Sequence, residues 1–475
     1  MSNKSKLKNG IMITFIAKYS NVITQLIINS ILARLLMPEE FGVIAIITVF
    51  ISFFNILGDM GIGPAIIQNK LLDDKEISDI FKFSVMGALV IAIGFYFFSY
   101  FIAFFYTNKI YIKLGILLSF SVFFFICNIV PNALIYKKQN FKLVGIINVC
   151  ANIGVGIITI TLALNGWSYY SLIFDSISKS LFIFILSFTF SKIKIKKGYS
   201  YNAVKKIRNY SSYQFLFNFI NYFTRNLDNI LIGKFLGSST LGYYDKSYKL
   251  MLYPVQNLTN VITPVLHPVL SEYQDQIDVI YDTYIKVVKV LAYIGIFVSV
   301  YCFFSSKEII RIMYGNNWDK SIPVFRILSL SIVIQMVLSS IGSIFQSTGY
   351  VNKLFSTGFV SACFTITAIT IGIISKSLEI LSIGIVISFA FNFIQCFYVL
   401  MTHVFNKKFS EFLLNIKNVL IIGFIMVCGY LLTSRISIDN VLISAIVKLV
   451  IGIITYLIGL IITKEYKLLK SIIIK

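Results

Sequence analysis

Residues 209–271 read NYSSYQFLFNFINYFTRNLDNILIGKFLGSSTLGYYDKSYKLMLYPVQNLTNVITPVLHPVLS, apolar enough to lie in a bilayer yet carrying Arg225, Asp228, Lys234, Asp245, Lys246 and Lys249. A charge near the middle of a membrane helix costs roughly 2.5–3.5 kcal/mol even on lenient insertion scales, so such side chains face a bundle interior or a wet cavity. At 100° per residue, Gln214, Asn218, Asn221, Tyr222, Arg225, Asp228 and Asn229 fall within about 120° of one helix face. The stretch is expected to line a cavity.

It has an echo two hundred residues earlier. At constant offset, without a gap, Asn21 pairs with Asn221, Thr24 with Thr224, Asn29 with Asn229, Arg34 with Lys234, Leu36 with Leu236, Gly42 with Gly242 and Pro64 with Pro264. In the first copy Lys18, Asn21, Gln25 and Asn29 form the matching polar stripe. A chance match between two apolar segments is the plainer explanation. A duplicated lobe, whose first helix turns its polar face to a shared axis, accounts for more of the pattern.

The whole chain supports a membrane setting. Of 475 residues, 57% are hydrophobic and 13% charged, and the mean hydropathy is +0.84, too little polarity to solvate a globular surface of this size. The apolar runs are too long and too unbroken for membrane β-strands, which alternate apolar and polar residues. The expected class is therefore all-α integral membrane, with about fourteen spans: 11–36, 41–63, 83–106, 114–136, 143–164, 170–190, 209–236, 240–270, 284–306, 322–348, 354–375, 378–401, 413–433 and 440–463. They group as a six-helix lobe over 1–190, a basic cytoplasmic linker over 191–208, a second six-helix lobe over 209–401, and two further helices with a tail over 402–475.

A net charge of +22 would suggest nucleic acid in a soluble protein, but here the lysines and arginines sit between spans, so no nucleic-acid partner is expected. With the N-terminus inside, the loops assigned to the cytoplasm hold twenty-six Lys and Arg and those assigned outside hold ten. Short cytoplasmic loops carry that excess, so both termini are expected in the cytoplasm. The linker SKIKIKKGYSYNAVKKIR is the longest basic run, an orienting anchor or a surface that gathers anionic lipid. Residues 307–321, KEIIRIMYGNNWDKS, read as an amphipathic helix anchored at the interface by Trp318, and Trp167 marks a second interface.

Catalytic and cofactor chemistry finds no foothold in the sequence. His267 and His403 have no ligand-spaced partners, the six cysteines are scattered singly, and there is no GxxxxGK[ST] loop. No metal and no cofactor is expected. Asp73 and Asp74 sit in LLDDKEISD, which reads as a solvated loop opening a helix. Within the spans, Asp175 and Lys179 are placed to pair, as are Arg225 and Asp228. Lys18, Arg225, Lys246 and Lys249 then outnumber Asp228 and Asp245, a basic balance suited to an anionic cargo such as a phosphate.

The stretch ARLLMPEEFGVIAIITVFISFFNILGDMGIGPAIIQ (33–68) resembles the start of the bacterial polysaccharide transporters, the oligosaccharide flippases of the Wzx and teichuronic-acid exporter type. That family lies within the multidrug, oligosaccharidyl-lipid and polysaccharide exporter superfamily. LGYYDKSYKLMLYPVQNL (241–258), VLHPVLS (265–271), YGNNWDKSIPVFRILSL (314–330) and QSTGYVNKLF (346–355) extend the resemblance in the same order over about three quarters of the chain. Pro264 departs from it, standing where a basic or polar residue is expected.

The resemblance implies two six-helix bundles around a central cavity and alternating-access export of undecaprenyl-pyrophosphate-linked oligosaccharide. Arg225 and Lys18 would contact pyrophosphate or acidic sugar, Lys246 and Lys249 would add positive potential, and Asn21, Gln25, Asn221 and Asn229 would bind sugar hydroxyls. Proton or sodium coupling would run through Asp228 or Asp59. The expected partners are the lipid-linked oligosaccharide, membrane lipid, and a polysaccharide polymerase with its chain-length machinery. Three rivals stay open: a multidrug or organic-cation antiporter of the same superfamily, a lipid II flippase, and a membrane-embedded glycan polymerase. The antiporter calls for carboxylates at the cavity centre, and the polymerase for long loops carrying catalytic clusters.

Overall fold

The computed structural model describes residues 3–69, 71–205, 222, 226–271, 273, 276–433, 438–467 and 470; for 3–17, 260–269, 271 and 351 it describes the backbone alone. Every regular element among them is helical. The chain divides into two compact units, Met1–Gly242 and Tyr243–Lys475, with the division just inside a long helix.

The first unit begins with α1 (Asn3–Leu35), α2 (Pro38–Asp59), α3 (Ile62–Gln68), α4 (Asp74–Phe105), α5 (Ile110–Cys127), α6 (Ile129–Lys137), α7 (Phe141–Leu164) and α8 (Tyr169–Ser191). Residues 226–235 form α9, and α10 runs Ser238–Ser271. Two expected spans, each still a single candidate membrane span over Pro38–Gln68 and Ile110–Lys137, are interrupted by a turn. Residues 41–63 end early because Met60 and Gly61 both take left-handed φ values, of 43° and 72°, a region that costs a side chain energy but suits glycine. Residues 114–136 divide at Asn128, three residues before Pro131, whose ring supplies no N–H to the helical ladder. Asp73 opens α4 as predicted: its side chain accepts from Glu76 N at 2.7 Å while Glu76 reaches back to Asp73 N. Where α3, α4 and α6 meet, Ile66, Ile80 and Val130 are fully buried, and Ala203 from beyond α8 joins the same cluster.

The linker after α8 is strapped down at its start. Lys82 Nζ, on α4, donates to the carbonyls of Lys196 and Gly198, Lys196 N donates to Ser78 Oγ at 2.9 Å, and Ser200 N donates to an Asp79 carboxylate oxygen at 3.2 Å.

The predicted repeat is visible in the backbone. α1 stops at Leu35, residues 36 and 37 are non-helical and α2 starts at Pro38; α9 stops at 235, residues 236 and 237 are non-helical and α10 starts at Ser238. The two helix starts cross at paired glycines. A Cβ on Gly42 would overlap the backbone oxygen of Ser238, and one on Gly242 would overlap that of Pro38. Gly42 meets Ser238 as Gly242 meets Pro38, the reciprocity expected of two copies related by a two-fold axis.

The second unit contains the rest of α10, then α11 (Ile277–Phe304), α12 (Ser306–Tyr314), a 3-10 turn (Asn316–Trp318), α13 (Ser321–Ser329), α14 (Ile332–Leu338), α15 (Ile341–Ser347), α16 (Val351–Ile374), α17 (Leu378–Val399), α18 (Phe409–Thr433) and α19 (Val441–Ile462). The expected span 322–348 is bent by 48° between Ser329 and Ile332. Serine hydroxyls satisfy carbonyls beside the bend: Ser299 donates to Ser329 O at 2.8 Å, Ser329 to Arg326 O at 2.7 Å and Ser331 to Leu328 O at 2.7 Å. In a bilayer that service is what permits a broken helix.

α12 forms near its predicted place, but Trp318 is no interfacial anchor. It is fully buried, edge-on to Tyr243 at 5.9 Å and against Tyr314 at 5.5 Å, because the 3-10 turn directs it inward. Trp167 is half exposed, as an interface residue would be.

α19 is tied to α12 by a half-buried ion pair. Lys448 Nζ lies 2.6 Å from Glu308 Oε1 and donates to Phe304 O at 2.9 Å, and Ser444 Oγ donates to Glu308 at 2.8 Å. Burial works to raise the Glu308 carboxyl, but Lys448 and Ser444 outweigh it and hold the group below its ordinary value.

Among the described residues ten helices are long and apolar enough to cross a membrane, eleven counting the bent pair, so the count of fourteen is not reached. The three spans left over, 11–36, 209–236 and 240–270, are those with the polar stripes, and 209–236 lies largely outside the described residues. The molecule is an all-helical, multi-pass membrane protein.

Candidate functional site

The first unit encloses a polar recess built from the broken helices. Two adjoining cavities, of about 610 and 440 Å³, share Ser52 and Asn55 of α2, Phe125 of α5, Asn128 at the α5–α6 break, and Asn132 and Tyr136 of α6. A break in a membrane helix frees backbone groups and lets polar side chains gather, which is tolerated where the irregular segment lines a cavity.

Asp59 lines the larger cavity, its carboxylate taking the backbone N–H groups of Gly61 and Gly63 across the α2–α3 break. The smaller cavity reaches α7 and α8, where Lys179 Nζ lies 3.0 Å from Asp175 Oδ2, the pairing predicted, and Thr159 Oγ1 donates to Asp175 Oδ1 at 3.2 Å. Asn55 Oδ1 and Asn128 Oδ1 are buried and find no donor among the described residues. Phe125 and Tyr136 stand 41% and 37% exposed, leaving aromatic surface open beside those amides.

The predicted site residues are placed in three groups. On α1, Lys18, Asn21 and Gln25 are half-buried, and Asn21 Oδ1 accepts from the buried Asn152 of α7. On α9, Asp228 is buried and accepts from the backbone N–H of Asn229 at 2.8 Å. On α10, in the second unit, Lys249 pairs with Asp245 at 2.8 Å while its own side chain stays 58% exposed. Lys246 is buried there, its Nζ 5.4 Å from the centroid of the Tyr314 ring. Asn221 and Arg225 lie outside the described residues, so the predicted Arg225–Asp228 pair does too. Among the described residues of the predicted set, Asp59 lies in the recess of the first unit, and Tyr222 of the predicted polar face lines it too.

Asn55, Asn128 and Asn132 are absent from the sequence prediction, which follows the charged residues and the two polar stripes repeated at an offset of two hundred. Their signal was available: an amide inside ISFFNILGD, and two amides four residues apart around a proline in FFFICNIVPNALIY. Among the described residues no cluster of three or more His, Cys, Asp or Glu is arranged to hold a metal ion.

Fold and recess together define a multi-pass helical membrane protein with a recess inside its first unit. The chain belongs to the family described as "Polysaccharide biosynthesis protein", whose model matches residues 31–323. It is 25% identical over 440 residues to an "Uncharacterized membrane protein in cps region" of Klebsiella pneumoniae, covering 89% of this chain and 88% of that one. It is 22% identical over 414 residues to the lipopolysaccharide biosynthesis protein WzxC of Escherichia coli (strain K12), covering 84% and 83%. Among solved structures, the lipid II flippase MurJ in its inward closed conformation aligns over 96% of this chain and 99% of that one, with a TM-score of 0.75 at 17% identity, a likeness of fold.

Proposed function

We propose that this protein is a flippase that carries undecaprenyl-pyrophosphate-linked oligosaccharide units across the bacterial cytoplasmic membrane for surface polysaccharide assembly, without catalysing a reaction of its own. The observation that carries the reading is membership of a polysaccharide biosynthesis family by a chain with a polar recess inside a membrane-embedded helical unit. Such a recess suits a ligand that would otherwise drag hydroxyl groups through hydrocarbon. The similarity to WzxC along most of both chains supports it.

In this reading the lobes are 1–190 and 209–401, joined by 191–208 and followed by 402–475, both termini are cytoplasmic, and the protein alternates its access between the two leaflets. Arg225 and Lys18 contact pyrophosphate or acidic sugar, Lys246 and Lys249 contribute positive potential, and Asn21, Gln25, Asn221 and Asn229 bind hydroxyls. Asp228 or Asp59 couples transport to protons or sodium, and a polymerase with its chain-length machinery receives the product.

The test is direct. Cells that lack this chain should accumulate the lipid-linked oligosaccharide on the inner leaflet and lose the surface polymer, and wild-type chain should restore it. Normal export in its absence would remove the reading. Arg225→Ala with Asp228→Asn should reach the membrane at normal level but fail to export, and recovery of export in that double variant would reduce the pair to scaffolding.

A further inference from the structure

We propose that the recess in the first unit is a carbohydrate subsite, which holds the uncharged sugar of the cargo while the pyrophosphate is held elsewhere; this rests on the flippase reading. The lining is the first argument. Ser52, Asn55, Asn128 and Asn132 offer amide and hydroxyl groups, and Phe125 and Tyr136 offer aromatic faces. Sugars present the complementary surface, hydroxyls that both donate and accept around apolar C–H faces. Side-chain amides meet that need because each carries donors and an acceptor.

The second argument is the orphaned acceptors. Asn55 Oδ1 and Asn128 Oδ1 are buried without a donor among the described residues. An unmatched buried polar group costs about 1–3 kcal/mol, and because both oxygens are shielded here a ligand hydroxyl or amide N–H removes that cost once the amide turns toward the recess.

The third argument is charge. Among the described residues, the lysine lining the recess, Lys179, is paired with Asp175, and Asp59 adds a carboxylate. The described charged lining, one ion pair and one carboxylate, offers no unpaired cation to a pyrophosphate and suits a neutral sugar. At about 610 and 440 Å³ the cavities fall in the size range of small-molecule sites.

The experiment compares two probes on purified full-length protein: the lipid-linked oligosaccharide extracted from cells lacking export, and undecaprenyl pyrophosphate without sugar. Wild type should bind the glycosylated lipid at least tenfold more tightly. Asn55→Leu and Asn128→Leu should each remove most of that preference and leave the affinity for the bare lipid unchanged. Both replace an orphaned amide by an apolar group of similar size, so the variants should fold. Tyr136→Leu, on a more open part of the lining, should reduce the preference severalfold and serves as a second test should either fail to fold.

If wild type binds the two lipids equally, the recess is not a sugar site and the flippase reading stands. If it binds neither, the flippase reading falls and takes the subsite with it. Variants that weaken both lipids equally, or change neither, also overturn the subsite, the former outcome assigning the recess to the transport cycle instead.

Discussion

The segments 36–59 and 236–259 begin alike and end differently. Each opens with a two-residue break, a helix start and a glycine pressed against the other copy's backbone. Five turns on, Asn55 and Asp59 line a recess in the first unit, whereas Val255 and Thr259 at the same offset are buried, Thr259 donating to Val255 O at 2.6 Å. The rest of the second unit follows Val255: Ser299, Ser329 and Ser331 turn their hydroxyls onto backbone carbonyls, and Tyr284 bonds Ser340 at 3.0 Å. The frame is shared while the polar chemistry at this offset differs: Asn55 and Asp59 line a recess, and Val255 and Thr259 are packed away.

The largest effect is expected at the shared frame. Gly42→Ala and Gly242→Ala each drive a methyl into backbone that no rotamer change can move. Overpacking of that kind costs about 3 kcal/mol or more, read as a fall in thermal unfolding temperature and loss of membrane-inserted protein. Gly87→Ala, with nothing within 4 Å of the added Cβ, is the control and should unfold like wild type or slightly higher. Equal tolerance at all three glycines would break the correspondence between the copies.

Exchanging the divergent residues sharpens the comparison. Val255→Asn places an amide in a packed interior and should cost about 2 kcal/mol. Asn55→Val removes an orphaned acceptor, so stability should be unchanged or higher while export falls by tenfold or more. Destabilisation by Asn55→Val would show that the amide serves the fold after all.

A smaller effect is expected where the second unit is closed by charge. Glu308 is held below its ordinary carboxyl value, so its pairing with Lys448 contributes stability above the pKa of an unfolded glutamate, about 4.3. That contribution is lost as pH falls through the lower folded value. Melting followed from pH 7 to pH 3 should therefore drop more steeply in wild type than in Glu308→Gln, by about 1 kcal/mol at most. Parallel curves would place the fastening of α19 in its apolar packing alone.

The spans were legible because apolar length dominates a membrane sequence: α7, α8, α16, α17, α18 and α19 lie within a few residues of expectation. The interruptions carry sequence signals, Gly61 after Met60 and Pro131 three residues past Asn128, but apolar length masks them because the run continues on either side. Of the cations expected to add potential, Lys246 is buried against Tyr314 and Lys249 is paired with Asp245, while Asn55, Asn128 and Asn132 lie outside the polar stripes from which Asn21, Gln25, Asn221 and Asn229 are read. Trp318 was misplaced because an aromatic in a polar segment has the same composition whether a turn sends it inward or outward.

The strap formed by residues 196–200 across α4 has a consequence for proteolysis. Lys194, Lys196 and Lys197 offer trypsin three closely spaced cleavage points, yet a protease needs an extended segment it can lift clear of the protein. Here the backbone is stitched to Ser78, Asp79 and Lys82, so cleavage waits on local opening. The stretch 194–200 of the basic linker is thus expected to survive limited digestion at Lys194, Lys196 and Lys197, and Lys82→Ala, which unpicks one stitch, should make cleavage there faster.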